Sequence, residues 1–327
     1  MKRVLSILLS LAVCLALALS LAGCDRPLKT TETTPSVPEP TTVKTTVAEK
    51  KAERALLAKM KVSNGNYSYT YTYDYDLGAK TVKVVAKGVP AGDSPTYEAF
   101  TWLVPQSALK GDAQEAVPDS TGASEELTLW AQPLVQSGEI DTYRLEVYEE
   151  DATERSGVLT YKFQRNEKKQ VSSCVVNYDW RTGDDYDAVI KYRYDDNGRL
   201  TRVVESSADR DLNWEFNRDA DGKVTHASLQ TILKNEDAIE SWLTATNYHY
   251  DSEGVLVSTS ASGEGAQYDS WRTNYLYSET TGTLGAVTNQ FERVTFTYDE
   301  TFSYLLKVQT TDLDTGTDYV TIEYTYQ

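Results

Sequence analysis

From residue 67 onward, apolar and polar positions alternate along the chain with a period of two. The first example is a row of tyrosines at every second position, Tyr67, Tyr69, Tyr71, Tyr73 and Tyr75. Because successive side chains of a β-strand point to opposite faces, these five rings share one face of a predicted strand. The row is a candidate binding face for flat ligands, or else a set of aromatic pairs within the sheet. The pattern alone leaves both interpretations open.

The second half of the chain repeats one unit, which consists of an aromatic doublet, a turn and a β-branched strand. In three copies an aspartate precedes a glycine by three positions, and an aliphatic residue follows the glycine by two. The turn residues are Asp195 with Gly198, Asp219 with Gly222, and Asp251 with Gly254. The aspartate can bind turn amides, and glycine can take the positive φ that such a turn needs. Each unit therefore predicts a β-hairpin.

Two of these copies, at residues 194–200 and 250–256, resemble the YD repeat, also called the RHS repeat, of bacterial surface proteins and polymorphic toxins. In the third copy Arg218 stands in the tyrosine position. The resemblance covers residues 161–327 and implies a hairpin architecture. Long family members spiral into a shell that encloses a cargo, and five or six degenerate copies are expected to be too few to close one. Toxin delivery is not implied, because no self-cleaving end domain is visible.

The predicted fold class is all-β, an antiparallel meander of hairpins in an extended or curled sheet. One short helix is predicted over residues 48–62, where apolar residues fall near helical spacing, with glutamate early and lysine late. The predicted organisation runs as follows: signal peptide 1–23, linker 24–47, helix 48–62, N-terminal antiparallel β region 63–160, and hairpin repeats 161–327.

The N-terminus has the layout of a secretory signal. Lys2 and Arg3 precede an uncharged run rich in leucine and alanine. The run ends in Leu-Ala-Gly-Cys at residues 21–24, a tetrad that resembles the bacterial lipobox. This resemblance implies cleavage after Gly23 and a diacylglyceryl group on Cys24. An uncleaved membrane anchor is the alternative for an apolar run of this length.

Residues 24–47 are dominated by threonine, proline and valine, a composition that cannot bury a core. We expect them to form a disordered stalk between the lipid and the folded part. The predicted location is the extracytoplasmic face of a bacterial membrane. The expected partners are the membrane, through the lipid on Cys24, and envelope glycans or surface proteins.

Charge and cysteine content narrow the picture further. The chain of 327 residues carries a formal charge of −17, which argues against nucleic acid as a partner. Of its three cysteines, Cys14 leaves with the signal and Cys24 carries the lipid. Cys174 then has no intrachain disulfide partner, and it is predicted to be a small buried residue of a strand.

The sequence contains no motif for a catalytic serine elbow, a phosphate loop or a dinucleotide fold. Residues 217–222 resemble the start of a calcium loop, but Ser228 stands where the loop needs a glutamate. His226 and His249 have no second ligand at zinc spacing. We therefore predict no enzyme activity, no cofactor and no metal site.

The preferred function is a non-catalytic, lipid-anchored binding or scaffold module at the cell surface. The alternative is a half-barrel carrier of lipid or another hydrophobic ligand, whose aromatic doublets would line an unfilled cavity. A cell-wall or glycan hydrolase would instead require a cleft with two facing carboxylates, expected from residues 88–142.

Overall fold

The computed structural model describes residues 55–90, 133–181, 186–234, 239–263, 271–301 and 304–327. These residues form a sheet of 17 strands and one short helix, α1 (Pro133–Gln136). The strands are β1 (Leu57–Asn64), β2 (Tyr67–Asp76), β3 (Thr81–Val89), β4 (Thr142–Glu149), β5 (Gly157–Arg165), β6 (Val171–Trp180), β7 (Tyr186–Tyr194), β8 (Leu200–Ser207), β9 (Arg210–Arg218), β10 (Val224–Lys234), β11 (Ile239–Tyr250), β12 (Leu256–Gly263), β13 (Trp271–Tyr277), β14 (Leu284–Thr288), β15 (Glu292–Tyr298), β16 (Leu305–Asp312) and β17 (Asp318–Tyr326).

The sheet is closed. Each strand pairs with its neighbours in chain order, and β1 pairs with β17 as well as with β2. In the closing ladder Met60 lies opposite Tyr324, and Val62 lies opposite Ile322. The prediction of an open or curled meander is therefore wrong. The repeats do not have to close alone, because β1, β2 and β3 supply strands that the repeat count omits.

The helix predicted over residues 48–62 is also wrong in its described part, because residues 57–64 form strand β1. Met60 and Val62 are buried in the core, whereas Lys61 between them is exposed. These residues fit a period of two as well as a helical spacing. Without β1, strands β17 and β2 would both keep an unpaired edge. Pairing with these two strands therefore favours the strand conformation over the helix for this segment. Residues 48–54 lie outside the described residues.

Strands β3 and β4 are the one parallel pair among the described strands. Every antiparallel pairing reverses the chain direction, so a closed ring can contain only an even number of them. A ring of 17 strands therefore needs at least one parallel pair. A parallel pair cannot be joined by a tight hairpin. A hairpin repeat is therefore excluded at this pair.

Helix α1 leads into β4 and is held by polar contacts. The Arg165 guanidinium donates hydrogen bonds to the carbonyl oxygens of Val135 and Ile140. It also pairs with the Asp141 carboxylate, at 2.8 Å. Leu134 and Val135 join the core of the sheet. The helix is therefore packed against the strands rather than separate from them.

The inside of the closed sheet is its hydrophobic core. Inward-facing apolar side chains from all parts of the ring form one buried cluster, in which aromatic residues such as Tyr71, Tyr161 and Trp214 are among the largest members. The outward positions of the same strands are mostly polar, with isolated exceptions such as Leu243 and Leu276. Each strand thus keeps the alternation that the sequence shows, with its apolar side directed inward.

We expect Met60→Ala to lower the free energy of unfolding by about 2–5 kcal/mol, because it removes a fully buried side chain from the closing strand. Urea unfolding followed by circular dichroism measures the change. The matched control is Lys61→Ala on the outward face of the same strand, expected to change stability by no more than about 0.5 kcal/mol. Equal effects of the two variants would contradict the register of β1.

Candidate binding surfaces

The tyrosine row lies on β2 and faces the core. Tyr69, Tyr71 and Tyr73 are buried, and Tyr67 and Tyr75 at the two ends are half-buried. Neighbouring rings are in contact along the row, with centroids 5.8 Å apart for Tyr67 and Tyr69 and 6.4 Å apart for Tyr73 and Tyr75. The candidate binding face is therefore enclosed within the closed sheet for most of its length, where it contributes to the core.

The repeat turns have the geometry that their residues suggest. The side chain of Asp195 accepts a hydrogen bond from the amide of Arg199 at 2.8 Å, and that of Asp219 accepts one from Lys223 at 2.9 Å. Asp251 binds the amide of Val255 in the same way, at 2.9 Å. The glycines have positive φ angles, which are 81° at Gly198, 88° at Gly222 and 82° at Gly254. The aspartate closes each turn, and the glycine allows its backbone conformation.

These turns all lie on one end of the closed sheet. Strands β7, β9 and β11 run toward this end, and β8, β10 and β12 run away from it. We call this end the repeat rim, defined by the turns 195–199, 219–223 and 251–255, and we call the other end the opposite rim. The ring closure thus gathers turns that are far apart in the sequence.

A tyrosine at the last position of β7, β11, β15 and β17 links each of these strands to its neighbour at the repeat rim. Its hydroxyl donates a hydrogen bond to the first carbonyl oxygen of the preceding strand in the ring. The pairs are Tyr194 with Val171 at 2.6 Å, Tyr250 with Val224 at 2.8 Å, Tyr298 with Leu284 at 2.7 Å and Tyr326 with Leu305 at 2.7 Å. No turn joins these strand pairs at this rim, so the tyrosines bridge the gaps between successive turns.

Arg218 performs the same task where the repeat lacks its tyrosine. Its Nη2 donates a hydrogen bond to the carbonyl oxygen of Leu200 at 3.0 Å, and Leu200 is the first residue of the preceding strand. Its Nη1 also donates to the carbonyl of Gly222, at 2.9 Å. Arg218 therefore takes the structural role of the missing tyrosine in the third repeat.

The two rings of each aromatic doublet have different positions. The first ring lies in the core, and the second is half-buried at the repeat rim and packs against the core. The first rings are Tyr192, Trp214, Tyr248, Tyr275, Phe296 and Tyr324. The hydrophobic-carrier alternative needs these rings to line an unfilled cavity, whereas here they are buried in one side-chain cluster.

Burial changes the acidity of the rim tyrosines. It raises the pKa of Tyr250 to about 12, with a further upward contribution from Asp219 and an opposing one from Arg218. It also raises the pKa of Tyr277 to about 12, and Tyr250 and Asp251 add to the effect. For Tyr298, burial likewise raises the pKa above its ordinary value. These hydroxyls therefore remain protonated well above neutral pH, so those of Tyr250 and Tyr298 keep the proton that they donate to a neighbouring strand.

Among the described residues, the carboxylates of Glu146, Glu205 and Glu292 are buried, and each has a polar partner. Glu205 accepts hydrogen bonds from the Arg210 guanidinium at 2.8 and 3.1 Å inside the ring. Glu292 accepts one from the Tyr319 hydroxyl, and burial raises the pKa of this carboxyl. Glu146 faces outward; burial raises its pKa, but hydrogen bonds and attraction from Lys83 and Arg144 outweigh this and lower the pKa overall. These partners give each carboxylate a structural role.

The cysteine and the two histidines considered in the sequence analysis lie at separate positions in the sheet. Cys174 lies in β6 and is buried, as its strand pattern predicted. His226 and His249 are on the outward face, where they contact Asn247 and Ser260, at 3.0 Å in each case. In the described part of the chain, no group of three or more His, Cys, Asp or Glu side chains is placed to hold a metal ion.

Two further predictions concern regions that the structure does not fully cover. Gly23 and Cys24 lie outside the described residues, as does most of the segment 88–142 in which a hydrolase cleft would be expected. Among the described residues, no helix is long and apolar enough to cross a membrane.

We expect Tyr250→Phe to destabilise the fold by about 1 kcal/mol, because the carbonyl oxygen of Val224 loses its hydrogen-bond donor. Urea unfolding at pH 8 measures this loss. The control is Tyr148→Phe, which keeps the ring above which Lys87 lies at 5.9 Å and should change stability little. Because the pKa of Tyr250 is raised in the folded state, its contribution to the free energy of unfolding is fully present below pH 10. This contribution is lost as pH rises toward about 12. The variant should show a smaller alkaline decrease than the wild type, and an equal decrease would contradict the assignment.

We expect Gly198→Ala to cost about 1–2 kcal/mol, because a Cβ disfavours the left-handed backbone at φ 81°. The added Cβ would also lie 3.0 Å from the Gln170 amide nitrogen. Thermal unfolding compares this variant with Gly65→Ala in the turn between β1 and β2, where a Cβ meets no atom within 4 Å. Similar melting temperatures for the two variants would exclude a special role for the repeat glycine.

Comparison with solved structures gives distant matches. A porin-like protein from Bacteroides vulgatus is 8% identical, with a TM-score of 0.40 over 84% of this chain and 99% of that one. A porin-like protein from Bacteroides uniformis is 11% identical, with a TM-score of 0.30 over 56% of this chain and 94% of that one. The Photorhabdus luminescens Tc holotoxin pore is 12% identical, with a TM-score of 0.24, and the match covers 50% of this chain and 9% of the toxin chain.

No curated protein sequence matches the chain significantly. The family profile of the teneurin YD-shell, however, matches residues 127–316, which is more than half of the chain. The matched span includes the aspartate-glycine turns at Asp195, Asp219 and Asp251, so it supports the repeats on which the resemblance rests. The matched part is a β-structured shell domain, and the chain belongs to the teneurin YD-shell family.

Proposed function

We propose that this protein is a lipid-anchored, non-catalytic shell module that is displayed on the extracytoplasmic face of a bacterial membrane, where it serves as a scaffold or binding surface. The sequence supports the anchor through the basic start, the apolar run and the lipobox-like tetrad that ends at Cys24. Two acyl chains on one residue would give stable attachment, unlike the marginal binding of a single chain.

The observation that carries this proposal is where the chain enters the sheet. The amide of Leu56 donates to the carbonyl of Gln327 at 3.0 Å, and the amide of Gln327 donates to the carbonyl of Leu56 at 2.8 Å. The N-terminal segment therefore joins the closed sheet at the repeat rim, beside the end of β17. A tether attached there leaves the outer wall and the opposite rim of the sheet available to partners.

The packing of the shell favours a scaffold over a carrier. Its inward aromatic rings are buried in one cluster, so the interior already holds side chains. The tyrosines at the repeat rim, such as Tyr194 and Tyr326, tie neighbouring strands together. The buried carboxylates Glu205 and Glu292 are engaged with Arg210 and Tyr319. These interactions hold the strands of the shell together and keep it rigid, as a displayed module requires.

We expect Cys24→Ser to abolish the lipid modification of the N-terminus, because the thioether that carries the diacylglyceryl group cannot form. The full-length chain is expressed in a bacterium, the membrane and soluble fractions are compared by immunoblot, and the mass of the N-terminal peptide is measured. The wild-type peptide should begin at Cys24 and carry the added lipid mass.

The matched control is Cys14→Ser, which alters a cysteine of the same apolar segment and should leave attachment unchanged. A Cys24→Ser protein that stays in the membrane fraction, together with a wild-type peptide that carries no lipid, would overturn the anchor.

A further inference from the structure

We propose that the outer wall of the sheet over β1, β3 and β4 binds a polyanionic chain, which is a polymer of the cell envelope whose phosphate or carboxylate groups recur along its length. This inference names a class of partner for the proposed display surface. It rests on the proposed function only in taking the envelope as the source of the polymer. The binding surface itself follows from the charges and contacts of the described strands.

Three cations converge on one buried carboxylate of the outer wall. The Lys83 ammonium lies 3.0 Å from Oε2 of Glu146, and Arg144 Nε and Arg155 Nη1 lie 3.1 and 3.6 Å from its Oε1. Glu146 is buried, whereas the side chains of Lys83, Arg144 and Arg155 are 49%, 41% and 42% exposed. One carboxylate balances one of the three positive charges. These four residues, which we call the basic cluster, therefore keep an excess of positive charge that is open to solvent.

The buried carboxylate holds the cations in place. Lys83 lies directly opposite Arg144 in the parallel ladder of β3 and β4, and like charges in such positions repel each other. Glu146 offsets this repulsion by binding both of them, and it binds Arg155 from the following turn as well. The cationic groups are thus positioned before a ligand arrives, which reduces the entropy lost on binding.

Two further lysines extend the basic cluster into a track across the wall. Lys87 on β3 lies opposite Thr70 of β2, and Thr70 lies in turn opposite Lys61 of β1. Neighbouring strands are about 4.8 Å apart, so Lys61 and Lys87 are roughly 10 Å apart across the sheet. Along β3, Lys83 and Lys87 are four residues and therefore roughly 13 Å apart. This spacing suits a chain with repeating anionic groups, whereas a small anion can reach the basic cluster alone.

The charge balance of this part of the wall differs from that of the whole chain, which is −17. On the outward face of β1–β5 and in the turn after β4, the cations are Lys59, Lys61, Lys83, Lys87, Arg144, Arg155 and Lys162. The acids on the outward face of the same strands are Asp74, Asp76 and Glu146. Seven cations against three acids give this face a positive potential, which attracts anions.

The border of the track favours a chain over a flat anionic surface. The turn that contains Arg155 also carries the exposed acids Glu150, Asp151 and Glu154. A membrane rich in anionic lipid would approach these acids together with the cations and would be repelled by them. A single polymer chain can follow the cations and avoid the acids, so it matches the arrangement better.

The test uses the full chain held in nanodiscs of zwitterionic lipid. The probe is inorganic polyphosphate with a fluorescent label at one end, and fluorescence anisotropy measures binding over a series of salt concentrations. We expect saturable binding that weakens as salt rises, because the bound cations displace counter-ions from the polymer. Inorganic monophosphate should compete at least about a hundredfold less well, because it cannot occupy several cations of the track at once.

Lysine acetylation, mapped by mass spectrometry, locates the polymer on the wild-type protein. Saturating polyphosphate should protect Lys83 and Lys87 from the reagent. Lys191, which is exposed on the outward face of β7, is the internal control and should react as before. This measurement needs no variant, so it stands even where a substitution disturbs the fold.

Two double variants complete the test. Lys87→Gln with Arg155→Gln removes two cations of the track and leaves Lys83 and Arg144 on the buried carboxylate. It should weaken polyphosphate binding by at least about tenfold at low salt and reduce the salt dependence.

The matched control is Arg272→Gln with Arg293→Gln, which removes two exposed arginines from β13 and β15. Several strands separate these positions from β3 and β4 around the ring. The control should therefore weaken binding much less, and thermal unfolding verifies that both double variants are folded.

The proposal is overturned if polyphosphate does not bind at low salt, if Lys83 and Lys87 stay fully reactive, or if the two folded double variants lose affinity equally. Tighter binding of the nanodisc-held chain to phosphatidylglycerol vesicles than to polyphosphate would also overturn it, in favour of a membrane surface. These outcomes are independent of the anchor, because attachment is measured at Cys24. A protein without lipid can still bind polyphosphate, and an anchored protein can fail to bind it.

Discussion

Main-chain hydrogen bonding between the first and the last strand is the interaction on which this structure depends. A sheet that ended at β17 would expose a row of unpaired amide and carbonyl groups, and so would a sheet that began at β2. Strand β1 pairs with both and removes both edges. The same strand places Met60 and Val62 in the core. The same strand therefore both closes the sheet and contributes to its core.

Closure also gives the molecule two different ends. Because hairpin strands alternate in direction, the aspartate-glycine turns gather on one rim, and the connections between repeats gather on the other. At the repeat rim, side chains such as Tyr250 and Arg218 bind the first carbonyl of the preceding strand. These contacts couple each repeat to its neighbour, which is how a repeat architecture gains stability from adjacency. At the opposite rim, Trp180 lies over Gly157 and packs against the core.

Part of this architecture could be predicted from local patterns. Alternation along residues 67–75 predicts a strand, and the pairs Asp195–Gly198 and Asp251–Gly254 predict turns, because both rules depend only on neighbouring residues. The resemblance to YD repeats was equally local. The helix prediction for segment 57–62 was wrong because its apolar spacing suits a helix as well as a strand, and the choice depends partly on pairing with β17, about 260 residues later in the chain. The contact between Trp180 and Gly157 could not be predicted from the sequence, since the two residues are 23 positions apart and meet only through strand pairing.

By itself, the sequence determined the all-β character, the inward and outward sides of most strands and the positions of the repeat turns. Side-chain alternation and turn chemistry act over a few residues, so they can be read without knowledge of the fold. Only the tertiary structure decided that the sheet closes, that β3 and β4 run parallel, and that the tyrosine row on β2 lies inside rather than outside. These properties depend on how many strands meet around the ring and in which direction each one runs. No short segment contains that information, because strand pairing is a property of the whole chain.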